Sequence, residues 1–136
     1  MTLNLSIDHL LENFAAFEDW EGRYQYLIEL GKLLLPMAEA DKTEETKVRG
    51  CISQVWIKPK WRHDGRFDFD GDSDAMIVKG LVAILKIAYA GKTSDEIAQL
   101  DIQALFTKLG LDQHLSPNRR NGFYAMVERI KNMKNI

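Results

Sequence analysis

The chain has 136 residues, 46% of them apolar, which suits one domain spanning residues 1–136 and excludes disorder. Its 18 Lys+Arg against 20 Asp+Glu leave a formal charge of −2, so no strong basic field points to nucleic acid, and the longest apolar stretch, residues 81–89 broken by Lys86, is far short of the ~20 residues of a membrane span. The single cysteine, Cys51, excludes an internal disulfide framework and a thiolate cage, and with no basic-then-apolar signal pattern at residues 1–5 a cytoplasmic protein is expected.

Ser6 reads as the cap of a first short helix, with Asp8 in its first turn and Leu10, Leu11, Phe14 and Phe17 on one face. A second helix starts at Asp19, carries Trp20, Tyr24, Leu27, Ile28 and Leu34, and is ended by Pro36. Residues 37–46 show no period and read as an exposed connection. Residues 51–57 are rich in β-branched and aromatic side chains, and a turn at His63-Asp64-Gly65 returns the chain into residues 66–70, where Phe67 and Phe69 share one face and the aspartates the other. Ser73 reads as the cap of a helix so apolar, through Ile77, Leu81, Ile84, Leu85 and Ala88 to a stop at Gly91, that it must be central. Thr93 and Glu96 form a capping box, Asp101 caps a short segment over 102–108 ended by Gly110, and Ser116-Pro117 opens a last helix with Phe123, Met126, Val127, Ile130 and Met133 inward. The expected class is α+β, a small antiparallel sheet of about three strands covered by helices.

Cys51 is the candidate nucleophile, because a thiolate attacks well near neutral pH and Gly50 allows a tight turn that presents it. Arg49, and more loosely Lys47, favour the thiolate when they point the same way; the competing reading is a small buried core residue. His63 or His114 as a base for Cys51 would make a Cys–His hydrolase, the alternative function. Asp68, Asp70, Asp72 and Asp74 look like a calcium loop, yet with Gly71 at the sixth position Arg66 falls first and Ile77 twelfth, so a solvated strand face is expected and no metal. His9, His63 and His114 lack metal-ligand spacing, and no glycine fingerprint cradles phosphate. Arg129, Lys131 and Lys134, set against Glu128, complement a helix C-terminus rather than nucleic acid. Arg119 and Arg120 lie in the first turn, where a cation is unfavourable, and are expected to be held by a carboxylate or a partner.

Three stretches together resemble the SufE family of sulfur acceptors: Val48-Arg49-Gly50-Cys51-Ile52-Ser53-Gln54-Val55-Trp56, then Gly71-Asp72-Ser73-Asp74-Ala75 running into Ile77-Val78-Lys79-Gly80-Leu81, and His114-Leu115-Ser116-Pro117-Asn118-Arg119 with Gly122. The Trp20 and Tyr24 region and Ile28-Glu29-Leu30-Gly31 fit as well, so nearly the whole chain is covered; Ile52 departs from the family's frequent Gln. The resemblance implies a fold like the IscU-type cluster scaffold and a sulfur relay. A cysteine desulfurase (SufS- or CsdA-like), which itself carries the PLP, passes sulfur to Cys51 as a persulfide for iron–sulfur cluster assembly. This chain would be a carrier and activator without a cofactor, not an enzyme in its own right. Arg49, Gly50, Asp74 and Arg119 are the implied partner contacts, a downstream acceptor or scaffold takes the sulfur next, and the chain is a monomer or homodimer. With one thiol it lacks the ligands to hold a cluster itself. A persulfide needs shelter from water, for which Ile52, Val55 and Trp56 are the candidates.

Overall fold

The computed structural model describes residues 5–133; the sequence-level readings at residues 1–4 and at Lys134 lie outside them. Two helices lead, α1 (Ile7–Ala15) and α2 (Trp20–Lys32), capped by the side chains of Ser6 and Asp19, which accept from the amides of His9 and Gly22. They are followed by a 3₁₀ turn (Glu39–Asp41) and the hairpin β1 (Val55–Trp61) and β2 (Phe67–Ser73). Five helices follow among the described residues: α3 (Met76–Tyr89), α4 (Ser94–Gln99), α5 (Ile102–Lys108), α6 (Leu111–His114) and α7 (Pro117–Lys131). No helix among the described residues is long and apolar enough to cross a membrane.

The hairpin register pairs Val55 with Ser73, Ile57 with Gly71, Pro59 with Phe69 and Trp61 with Phe67. Val55, Ile57, Phe67 and Phe69 are thereby set on one face, all fully buried against α3. Gly71 lets the helix approach the sheet, since a Cβ there would lie 2.6 Å from Cγ1 of Val82. The polar face is laced by Lys60–Asp70 (2.9 Å), Arg62–Asp68 (3.1 Å) and Lys42–Asp72 (3.2 Å), so the acidic run is the solvated strand face expected. Burial pushes the Asp72 carboxyl up, but the amide of Ser73 and the ammoniums of Lys42 and Lys79 outweigh it and hold the group below the ordinary carboxylate range. Among the described residues no cluster of side chains is arranged to hold a metal.

The sheet has two strands and not about three. Residues 46–48 run along the free edge of β1, where the amide of Ile57 donates to Thr46 and that of Val48 to Val55, but only Lys47 and Trp56 form a bridge. The Thr43–Thr46 turn on one side and Gly50, at φ +90°, on the other leave no length for a strand. Because Val55 and Ile57 turn their bonding groups to this outer edge, Pro59, two residues on, faces the same way and no ladder bond is lost to its ring. β1 also starts later than the composition suggests, at Val55, and residues 51–54 are irregular.

Helix α3 is the hub: eleven of its fourteen residues are buried, between β2 on one side and α2 on the other. Gly31 of α2 and Gly80 of α3 meet at the crossing, where a Cβ on Gly80 would run into the Leu27 carbonyl and one on Gly31 would lie 2.8 Å from the Gly80 nitrogen. Ser73 is not the N-cap; Ala75 holds that position with no side-chain cap, while the Ser73 hydroxyl accepts from the Ala75 amide at 3.2 Å. The capping box at Thr93–Glu96, the Asp101 cap and the Ser116-Pro117 start of α7 are as the sequence indicates. Met37, within the presumed exposed connection, is buried at 5% exposure, and Lys58 binds Asp41 at 2.8 Å, so this segment is tied to the hairpin.

Candidate functional site

Cys51 sits in a five-residue loop, residues 49–53, anchored at both ends. At its start the Val48 amide donates to Val55 (2.8 Å); at its end Gln54 and Asp74 bond reciprocally, the Gln54 amide to Oδ1 of Asp74 (3.0 Å) and the Asp74 amide to the Gln54 carbonyl (3.2 Å). Farther back, Arg129 of α7 donates to the carbonyls of Glu45 and Lys47, fixing the approach to the loop. Gly50 supplies the left-handed residue that reverses the chain between these anchors.

The reversal turns the half-buried thiol inward onto α7, where Sγ donates to the Gly122 carbonyl at 3.6 Å. A Cβ on Gly122 would lie 3.4 Å from that sulfur, so the thiol packs directly over this glycine. Beside the sulfur a cavity of about 250 Å³ opens between the loop, α3 and α7. Val78 and Leu81 come from α3; Phe123 and Met126 from α7 complete the apolar wall. Ser53, Ser116, Asn118 and Arg119 line its polar side.

Burial raises the Cys51 thiol above its ordinary value. This overturns the expectation of a thiolate favoured by Arg49: that guanidinium is exposed and turned to Glu44 at 3.3 Å, where solvent screens it. Of the three residues expected to shelter the sulfur, Ile52 lines the cavity and Val55 and Trp56 do not. Ile52 is 79% exposed, Val55 is in the core under the sheet, and Trp56 lies on the opposite face beneath the Lys42 ammonium. Sequence reasoning assigned Val78, Leu81, Phe123 and Met126 to core packing; their spacing on α3 and α7 carries that signal but none for the cavity they share.

Asp74 is exposed and turned to the loop, not to the first turn of α3. Arg119, one turn before Gly122, lines the cavity and donates from Nη1 to the Tyr24 hydroxyl at 2.7 Å; Arg120 donates to the Asp112 carbonyl at 3.2 Å. Neither pairs with a carboxylate among the described residues, contrary to one of the two expectations for them. The two candidate bases stand elsewhere. His63 is in the hairpin turn, a strand length of roughly 20 Å from the Cys51 end of β1. His114 stacks on Trp20 at 4.4 Å, and neither histidine lines the cavity. The site therefore offers a half-buried thiol with an apolar wall and one cation, and among the described residues no histidine beside it to act as a base for acyl transfer.

Residues 8–134 match the family model SufE, an Fe-S metabolism associated domain. The chain belongs to the SufE family. It is 48% identical over 129 residues to an uncharacterized SufE-like protein of Rhizobium etli, covering 93% of this chain and 87% of that one. A second uncharacterized SufE-like protein, of Rhizobium meliloti, is 46% identical over 129 residues, 93% of this chain and 92% of the relative. The solution structure of a hypothetical protein from Thermus thermophilus shares the fold, with a TM-score of 0.73 at 20% identity over 92% of this chain and 90% of that one. Family membership associates the chain with iron–sulfur metabolism.

Proposed function

We propose that this protein is a sulfur acceptor that takes persulfide sulfur from a PLP-dependent cysteine desulfurase onto Cys51, stimulates that enzyme, and passes the sulfur on for iron–sulfur cluster assembly. The observation that carries the reading is the chain's single thiol, held on a short anchored loop at the edge of an apolar cavity with spare volume beside the sulfur. The PLP belongs to the desulfurase, and the relay suits a reducing cytoplasm.

In the transfer, the Cys51 thiolate attacks the outer sulfur of the desulfurase persulfide. The new S–S bond forms on Cys51 as the donor's S–S bond breaks, and the donor cysteine leaves as a thiolate. No electrons are gained or lost overall. Retracted, Cys51 is a poor nucleophile, because burial and the Gly122 carbonyl both favour the protonated thiol. Extension of the loop towards the donor returns the sulfur to solvent and removes both effects, so nucleophilicity is coupled to docking. Retraction afterwards shields the persulfide from reductants and oxidants.

Arg49 and Gly50 beside the thiol, Asp74 at the loop anchor and Arg119 at the cavity are the residues we assign to the partner contact, together with the exposed Ile52 and Met76 side chains. Incubation with a desulfurase and cysteine, read by intact mass, tests the proposal. The protein gains about 32 Da per sulfur, reversed by reductant and absent in Cys51→Ser. Unchanged mass in the native protein, or the same gain in the serine variant, overturns it.

A further inference from the structure

We propose that Arg119 is the cation that holds the loaded Cys51 persulfide as an anion inside the cavity, a role within this chain that rests on the sulfur-acceptor reading. A persulfide is a stronger acid than its parent thiol, so near neutral pH the loaded group carries a negative charge where the unloaded one does not. The apolar wall of Val78, Leu81, Phe123 and Met126 solvates that charge poorly, and the polar side offers only the neutral groups of Ser53, Ser116 and Asn118 besides Arg119. Arg119 is the one charged residue among those lining the cavity.

Contacts within the free chain leave its own situation unexplained, and a partner contact does not account for its place on the cavity. The guanidinium is half-buried, stands in the first turn of α7 where the helix dipole disfavours a cation, and has a single hydrogen bond, to the neutral Tyr24 hydroxyl. No carboxylate pairs with it among the described residues. With one N–H engaged, the planar fork keeps donors for an anion arriving from the cavity. Arg119 lies three residues before Gly122, on whose carbonyl Sγ rests, and both residues line the cavity that the sulfur borders. A second sulfur on Cys51 extends into the cavity beside Sγ, which Arg119 also lines. The unloaded thiol makes no demand on it, being protonated and directed at the carbonyl.

The test loads Cys51 without a desulfurase, so that docking plays no part. The thiol is exchanged with a diaryl disulfide, which leaves an aryl mixed disulfide on Cys51 and releases one aryl thiolate; hydrosulfide then attacks the Cys51 sulfur and displaces the second aryl thiolate, leaving the persulfide. The pH profile of persulfide alkylation is compared in the native protein, Arg119→Gln and Arg119→Lys. The expected result is a midpoint at least one pH unit higher in Arg119→Gln, largely restored in Arg119→Lys, with the alkylation rate of the unloaded thiol changed less than twofold. Coincident persulfide profiles in the native and Gln proteins overturn the proposal. If the Gln variant does not fold, the native protein decides: loading should shift the Arg119 side-chain ¹⁵Nε resonance, and an unshifted resonance overturns the assignment. Failure of a desulfurase to load Cys51 would defeat the sulfur-acceptor reading and leave these chemical measurements unaffected.

Discussion

Cys51 shows two local effects opposing each other at one atom. Flanking cations lower a thiol's proton affinity through space, whereas burial raises it, and burial wins because Arg49 spends its charge on Glu44 in solvent. The alkylation rate of native Cys51 should therefore climb with pH to a midpoint above that of the urea-unfolded chain, and at pH 7 the native rate should be several-fold the lower of the two. The raised folded value also fixes a sign for stability. Below the ordinary thiol range the protonated group favours the native state fully, and that contribution is lost as pH rises through the folded value. Denaturation midpoints of the native protein and Cys51→Ser, compared across that window, should diverge in this direction.

At the scale of elements, the loop is held by anchors that belong to other elements. Asp74 sits at the start of α3 but bonds the Gln54 amide, so Asp74→Ala should cost roughly 0.5–1.5 kcal/mol, speed exchange of the Gln54 amide and accelerate Cys51 alkylation. Unaltered alkylation would mean that Val48 and Gly50 hold the loop without it. The α2–α3 crossing is a packing constraint of another kind. Gly80 meets the Leu27 backbone so closely that Gly80→Ala must separate the helices, with an expected loss of about 1–3 kcal/mol or more and a lower thermal midpoint. Since α3 also supplies Val78 and Leu81 to the cavity, the same change should loosen the site.

For the whole molecule, helices packed on a hairpin carry the short irregular loop of residues 49–53. Helices α3 and α7 converge on the cavity from well-separated parts of the chain, and α2 reaches it through Tyr24. Docking on the desulfurase should draw the loop out while the packed helices stay intact. Amide hydrogen exchange of residues 48–54 should then differ between free and bound protein while the amides of α3 keep their protection; equal protection of the loop in both states would remove the swing.

The periodicities of α1, α2, α3 and α7, the hairpin turn at Gly65, the solvated acidic face and the uniqueness of Cys51 were legible from residue order, because each depends on neighbours within a few positions. The Gly-Cys block likewise pointed to the family, which the match over residues 8–134 bears out. What the chain order could not carry is which long-range neighbour meets the sulfur. The third strand shrank to a bridge because turns at both ends of residues 46–48 left it no length, and the sulfur's apolar surroundings came from α3 and α7 with Ile52, not from Val55 or Trp56. Burial of the thiol, its bond to Gly122, the diversion of Arg49 to Glu44 and the reach of Arg119 to Tyr24 all follow from which surfaces pack together. Desolvation depends on everything within a few ångströms of an atom, and in a folded chain most of that lies far away in sequence.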